Sequence, residues 1–385
     1  MNILHVTPYY APAYAFGGVA RAVEGMAKAV LARGHNVTVL TTDAFSQNER
    51  YQHHEDEVME GVRVIRLQNR SVRLRGKANL STPRGLKEAA RKWLDWADIT
   101  HLHEFRTMEN LTIAPLAAAS RHPLMLSPHG TLTQSTGRSL LKQSWDRLFS
   151  RRIASAMNAV ICLTEAEKAD TAALWKQLGV QEPGLFVIPN GVDVAAFEGL
   201  EGDLAFRQRH GLADSMICLF LGRLHPRKGV IELAQAFKWA NVRGAKLVFA
   251  GADDGALSAL RPMLSDRIIY AGYLEGADRL AALAAADIFA LPATGEGLPL
   301  AALEAMAAGL PLLLSPGCNL PDAEEAGAAL IVEPQVDQIA RALSQLLSDS
   351  AFRHEMGRRA HTLAIQRFNW DEIGAELEGV YRRYL

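Results

Sequence analysis

Disulfide chemistry, membrane spans and net charge are all scarce in this chain, and each scarcity excludes a class of protein. Its 385 residues hold only three cysteines, Cys162, Cys218 and Cys318. They are odd in number, widely separated and without metal-ligand spacing, which excludes a disulfide scaffold and a cysteine-based metal site. A reducing compartment fits that usage. No apolar run reaches the roughly 18–20 residues that span a bilayer, and the alanine-rich stretch Leu280 to Ala293 is broken by Asp287. Lys and Arg total 41 against 42 for Asp and Glu, so no net field draws the chain to nucleic acid or to anionic lipid. Any anion site must be built locally. Ala13-Tyr14-Ala15 has the form of a signal-cleavage site, but no cation precedes it and Pro8 and Pro12 interrupt the apolar run, so no export signal is read. The expected location is the cytoplasm.

What is present is an ordinary globular composition, 49% hydrophobic and 22% charged, in a chain too long for one hydrophobic core. Two domains are therefore expected. Short β-branched segments alternate with longer amphipathic ones: Ile3–Thr7, Val19–Arg33, Val37–Thr41, Val62–Leu67, then Asp98–Leu102, Pro123–Ser127 and Ala159–Leu163, with a helix over Leu140–Ala156. This βαβ rhythm predicts a parallel sheet covered on both faces. Pro189-Asn190-Gly191 punctuates the end of the first series, and a second begins at Met216–Gly222 and runs through Lys246–Gly251, Arg267–Ala271, Ile288–Leu291 and Leu312–Ser315. The fold class predicted is α/β, with two tandem Rossmann-like domains, 1–190 and 191–367, facing a central cleft, and a closing segment 368–385.

Chemistry concentrates where such strands end. Gly17-Gly18 opens the first helix, and glycine there lets a ligand approach the backbone closely. His101-Leu-His103-Glu104 and Ser127-Pro-His129-Gly-Thr131 place histidines at strand ends of the first domain. In the second domain, Leu221-Gly-Arg223-Leu-His-Pro-Arg227-Lys228-Gly229 brackets three cations between glycines, and Arg227 is read as simply solvated. Further on, Glu296 stands in a Gly-rich turn with Gly297, and Glu304 follows eight positions later on the next helix. Backbone amides at that helix start favour anionic oxygens, and a diphosphate would suit them. No Asp-x-Asp metal motif occupies a suitable strand-end loop, so neither metal nor cofactor is expected. Arg138, Lys142, Arg147, Arg151 and Arg152 form a basic run that fits a solvated helix face or peripheral contact with a membrane.

These motifs, in this order, resemble those of the large retaining glycosyltransferase family numbered four, which has the two-domain GT-B fold. Glu296 and Glu304 match its Glu-x7-Glu signature, and Leu303-Glu-Ala-Met-Ala-Ala-Gly-Leu-Pro311 agrees as well. The resemblance implies that Glu304 binds the ribose of a nucleotide-sugar donor, that Glu296 contacts the transferred sugar, and that Arg223 and Lys228 neutralise the diphosphate. It implies donor contacts at Gly17, Gly18, Gly297, Leu298 and Leu300, places His129 near the transferred sugar and His103 toward the acceptor, and makes 368–385 a segment crossing back onto the first domain. Pro299 departs from the family's usual glycine and has no amide to donate, which shifts that contact to Leu298 or Leu300. The implied reaction is metal-independent transfer, with retention, from a UDP- or GDP-sugar to a glycan or lipid-linked acceptor in surface polysaccharide or glycoconjugate synthesis. Two rival readings are a phosphorylase or epimerase of the same fold and a non-catalytic sugar- or nucleotide-binding protein. Acceptor choice would rest on loops such as Phe45–Glu57 and Arg70–Lys77.

Overall fold

The computed structural model describes residues 1–46, 48–52, 55–71, 80–132, 139–200 and 204–385. Arg138, and parts of the two loops named above, lie outside the described residues. Two compact units emerge: Met1–Gly191 with Trp370–Leu385, and Val192–Asn369.

In the first unit, β1 (Asn2–Val6), β2 (Asn36–Thr42), β3 (Asp56–Met59), β4 (Val62–Leu67), β5 (Ile99–His103), β6 (Leu124–Ser127), β7 (Ala159–Cys162) and β8 (Gly184–Val187) form one sheet. Their order is β3-β4-β2-β1-β5-β6-β7-β8, parallel except for the β3–β4 hairpin. The central strands are nearly continuous apolar runs because helices cover both faces; Ile3, Leu4, Val6, Leu102, Leu126 and Ile161 are all buried. The hairpin departs from the expected loop. Its two-residue turn, Glu60 and Gly61, has positive φ at both positions, the geometry that matches strand twist. Asp56 accepts from Arg63 at 2.6 and 2.9 Å and Glu57 from Arg66 at 2.7 Å. A charged edge of this kind discourages pairing with other chains, and the same charge conceals the strand from a search for apolar runs.

The helix expected over 140–156 is interrupted. Ser139–Trp145 and Arg151–Ala154 are α-helical, and a π turn, Asp146–Ser150, lies between them. Asp146 is buried, takes two bonds of 2.8 Å from Arg106 and accepts a third from the Ser150 hydroxyl at 2.6 Å. The wider turn lets that carboxylate be satisfied inside. Arg147, Arg151 and Arg152 are exposed, and among the described residues no helix is long and apolar enough to cross a membrane.

The closing helix, Trp370–Arg382, belongs to the first unit and lays Ile373, Leu377, Val380 and Tyr381 against Val23, Met26, Ala27 and Val30 of the helix Gly18–Ala32. Two small residues make room for the Trp370 ring: a β-carbon on Gly25 would fall 2.0 Å from it, and one on Gly191 would fall 2.5 Å from it.

The second unit has β9 (Met216–Leu221), β10 (Ala245–Ala250), β11 (Ile268–Gly272), β12 (Ile288–Leu291), β13 (Leu312–Leu314) and β14 (Ala329–Ile331) in the order β11-β10-β9-β12-β13-β14. All are parallel. The short β14 was not among the strands expected. Where the chain enters and leaves this unit it is tied to itself, the Val192 amide donating to the Phe368 carbonyl at 2.6 Å.

Alanine in place of a mid-helix glycine ordinarily stabilises by about 1 kcal/mol, but overpacking against a fixed ring costs about 1–3 kcal/mol. Gly25→Ala is therefore expected to lower the urea midpoint, and combining it with Trp370→Ala is expected to turn the same substitution neutral or stabilising. A double-mutant cycle showing no coupling would remove the ring from this role.

Candidate functional site

Each sheet reverses its winding once, β1 against β5 in the first unit and β9 against β12 in the second. At such a reversal the loops after two adjacent strands part company and leave room beyond the strand ends, where ligands bind in open α/β sheets. The motifs singled out from sequence sit at these two places.

In the second unit, β9 runs into Gly222 and the basic loop, closed by the 3₁₀ turn Pro226–Lys228. Gly229 has φ +68°, and a β-carbon there would come within 2.2 Å of the Pro292 carbonyl oxygen; only glycine lets these two strand-end loops touch. The Thr294 amide donates to the Arg227 carbonyl at 2.8 Å, so Arg227 contributes its main chain to the join. The loops meet again in charge. Lys228 Nζ donates to Glu296 Oε2 at 3.0 Å, both side chains being largely buried. Glu296 is held on either side, its amide donating to Gly317 and its carbonyl accepting from Asn319 Nδ2 at 2.6 Å. Arg223 pairs with Asp254 at 2.6 Å and keeps 46% of its side chain exposed.

Beside them starts the helix Leu300–Ala307, with Pro299 at its N-cap and no side-chain cap. The amides of a helix's first turn have no partner within the helix and carry the positive end of its dipole. Leu298 is buried and anchors the approach, while Gly297 is half-buried. Glu304 is bonded to Arg279 from the helix Gly276–Ala285.

In the first unit the register brings histidines together. His5 on β1 pairs with His101 on β5, and His103 pairs with Ser127 on β6; alternation then puts all four on one face. His5 Nδ1 is 2.9 Å from His103 Nε2, and His103 Nδ1 is 2.9 Å from His129 Nε2. His101 is bonded to the Ser127 hydroxyl at 2.8 Å and to the Tyr381 hydroxyl at 2.7 Å. His5, His101 and His103 are fully buried and His129 is 9% exposed. Burial keeps them neutral: the His5 imidazolium is suppressed to about 3 and that of His129 to about 4, and the other two are also held well below the usual range. His103, expected toward the acceptor, has both nitrogens occupied by other histidines, so any influence on an acceptor passes through His129. His5, His101 and His103 also bring nitrogens within 4.8 Å of one another, a grouping that could hold a metal ion.

Two residues past these strands adopt the left-handed backbone, Glu104 with φ 58° and His129 with φ 56°. Such strain outside glycine gathers at functional positions. Burial, with Glu109 nearby, pushes the Glu104 carboxyl up to about 7. The Gly130 amide next to His129 donates to Glu167, which also accepts from the Leu163 amide at 2.7 Å. Gly17 has φ 107° and leads into the helix that Gly18 begins.

Residues 16–196 match the family model described as Glycosyltransferase Family 4, and residues 204–362 match the model of Glycosyl transferases group 1. A GDP-mannose-dependent monoacylated alpha-(1-6)-phosphatidylinositol monomannoside mannosyltransferase of Corynebacterium glutamicum is 30% identical over 69% of this chain and 71% of its own. The chain belongs to the group 1 glycosyltransferases. An uncharacterised glycosyltransferase of Methanocaldococcus jannaschii is 27% identical over 99% of this chain and 98% of its own. The Anabaena protein HepE, solved in complex with UDP-glucose, shares the GT-B fold with this glycosyltransferase, at a TM-score of 0.77 and 20% identity over the whole of both chains.

Asp254, Arg279, Asn319, His5 and Glu167 were not among the residues that sequence reading put forward, and Glu104 stood in its strand-end motif without a role. Asp254 had a signal, since Gly251-Ala-Asp-Asp-Gly255 is a polar, glycine-flanked turn at the end of the strand beside β9. His5 had a weaker one, a titratable residue among the apolar Ile3, Leu4 and Val6. Arg279 had none, because it meets Glu304 only through packing of two helices.

A buried histidine with a depressed folded pKa stabilises the protein above the unfolded value near 6.5 and loses that contribution as pH falls toward the folded one. Glu104 acts in the opposite sense, favouring the fold below about 4.5 and losing that advantage as pH rises toward about 7. Burial also raises the Glu109 and Glu167 carboxyls, and with each group changing stability by on the order of 1 kcal/mol per pH unit inside its window, the four histidines outweigh the three carboxyls. The urea midpoint of this glycosyltransferase is expected to fall steadily from pH 6.5 to pH 5; a flat profile there would mean the histidines are hydrated in solution.

Proposed function

We propose that the protein is a retaining, metal-independent glycosyltransferase that moves a sugar from a UDP- or GDP-linked donor to a glycan or lipid-linked acceptor in surface glycoconjugate synthesis. Its place is the cytoplasm, where exposed Arg147, Arg151 and Arg152 allow peripheral contact with the membrane's inner face. The second unit takes the donor and the first the acceptor. What supports this reading is family membership, together with relatives whose names specify GDP-mannose and a phosphatidylinositol-linked acceptor, or UDP-glucose.

The observation that carries it is the ion pair of Lys228 and Glu296 at the β9/β12 reversal, with Arg223 close by in sequence. Before donor binds, the pair keeps both side chains oriented. A diphosphate carries more negative charge than one carboxylate, so it draws Lys228 and Arg223 from Glu296 and Asp254 and meets them both. Departure of the nucleoside diphosphate then builds charge on the β-phosphate, and fixed cations at that oxygen lower the barrier. Glu296, released but still pinned through its own backbone, turns its carboxylate to the sugar. Arg279 orients the Glu304 carboxylate, which binds the ribose hydroxyls. Pro299 has no N–H, so the amides offered to the phosphate or sugar are those of Gly297, Leu298 and Leu300. Gly17 and Gly18 present backbone to donor phosphate, and His129 positions the transferred sugar. The acceptor's proton passes to the departing phosphate.

Calorimetry should find UDP or GDP bound without added divalent ion, and turnover with the matching nucleotide sugar should survive EDTA and give the donor's anomeric configuration by NMR. Lys228→Ala and Glu296→Gln are each expected to lower kcat on the order of 10²-fold. Absence of affinity for every nucleoside diphosphate would sink the proposal; nucleotide binding without transfer would point to a binding protein instead.

A further inference from the structure

His5, His103 and His129 form a continuous chain, Nδ1 to Nε2 and again Nδ1 to Nε2, that runs from His5, one residue short of the end of β1, through the end of β5 to the turn after β6. At its two ends, His5 Nε2 and His129 Nδ1 are buried and have no protein partner among the described residues. A neutral imidazole carries one proton, and each link needs one donor and one acceptor. Only two arrangements satisfy both links. In one, every ring is protonated on Nδ1 and donates toward His129, whose own Nδ1–H is left over. In the other, every ring is protonated on Nε2 and donates toward His5, whose Nε2–H is left over.

One N–H is thus orphaned in either case, and the fold decides which end can use it. His5 lies on a central strand of the sheet, fully buried and enclosed by rings, 5.2 Å from that of His103 and 5.3 Å from that of His101. His129 lies past the end of β6 at the carboxyl edge, in a left-handed conformation that the Glu167 bond to Gly130 helps to hold. A stranded donor in the sheet interior is costly, whereas one at the edge can be given to a ligand. We propose that His5 and His103 are positioning residues that hold the His129 proton on Nδ1, so that His129 meets its ligand as a hydrogen-bond donor to an oxygen and never as a base at that nitrogen. The assignment rests on the reading of His129 as a ligand contact in the proposed function.

Two substitutions separate this from a merely structural role. Asn at position 5 keeps a donor near the place of Nδ1, and Leu removes it. Nitrogen-15 correlation spectra of the imidazoles should show His129 protonated on Nδ1 in the unaltered protein and in His5→Asn, and as a mixture of both forms in His5→Leu. Turnover should fall about tenfold in His5→Leu, the worth of one oriented hydrogen bond, with nucleoside diphosphate affinity unchanged, and should return in His5→Asn. His129 protonated on Nε2 in the unaltered protein overturns the proposal even if His5→Leu does not fold. An unchanged Nδ1 form in folded His5→Leu overturns it too, as does one equivalent of zinc by elemental analysis, since a metal would claim the nitrogens the chain uses. The spectra judge the chain alone, while nucleotide calorimetry judges the function, so either can fail without the other.

Discussion

A parallel strand can be followed only by a crossover, never by a tight turn, and this restriction arranges everything else in the molecule. It sends the carboxyl end of every strand but β3 to the same edge of its sheet, so the loops that leave β1, β5 and β6, or β9 and β12, become neighbours although the sequence separates them. Where the winding reverses, those loops diverge. The basic loop and the Glu296 loop border one such gap, and the His103–Glu104 and His129–Gly130 turns border the other. Glycine at position 229 is the local condition for the first, because any side chain there would push Pro292 away and separate Lys228 from Glu296.

The two sites solve opposite electrostatic problems. The second unit pairs its charges: Lys228 lies against Glu296 and Arg223 against Asp254, with Arg223 staying half in water. Charge held in this way can be redirected to an incoming anion without first being created. The first unit excludes charge. Four histidines share a space from which water is largely removed, and neutral rings linked by hydrogen bonds are the form that survives there. A cationic surface would attract phosphate indiscriminately, whereas neutral oriented donors select by geometry. Because they lie on separate sheets, the charged group and the neutral group each keep their own dielectric surroundings.

How far this was legible in the sequence depended on distance along the chain. Glu296 and Glu304 lie within one turn and helix, as do Arg223 and Lys228 within one loop, and local spacing exposes both pairs. The parallel sheets were legible for the same reason, since a strand buried on both faces is a continuous apolar run. The β3 hairpin was hidden because its exposed edge is charged, and the π turn at 146–150 because it answers to Arg106, forty residues away. The histidine chain was half visible. His103 and His129 stood out at strand ends, but His5 joins them only through the β1–β5 register across 98 positions, and no periodicity announces a register.

Pro299 shows how a departure from a family pattern can be absorbed by local physics. At the N-cap its missing amide costs the helix nothing internally, because that N–H has no intrahelical partner, and its carbonyl still accepts from Ala302 at 2.9 Å to start the first turn. The ring also fixes φ, here −74°, which removes freedom from the unfolded chain and from the loop alike. With Leu298 buried on one side and the helix rigid on the other, the neighbouring amides are held in fixed directions. One N–H is missing, and those beside it are held without further ordering.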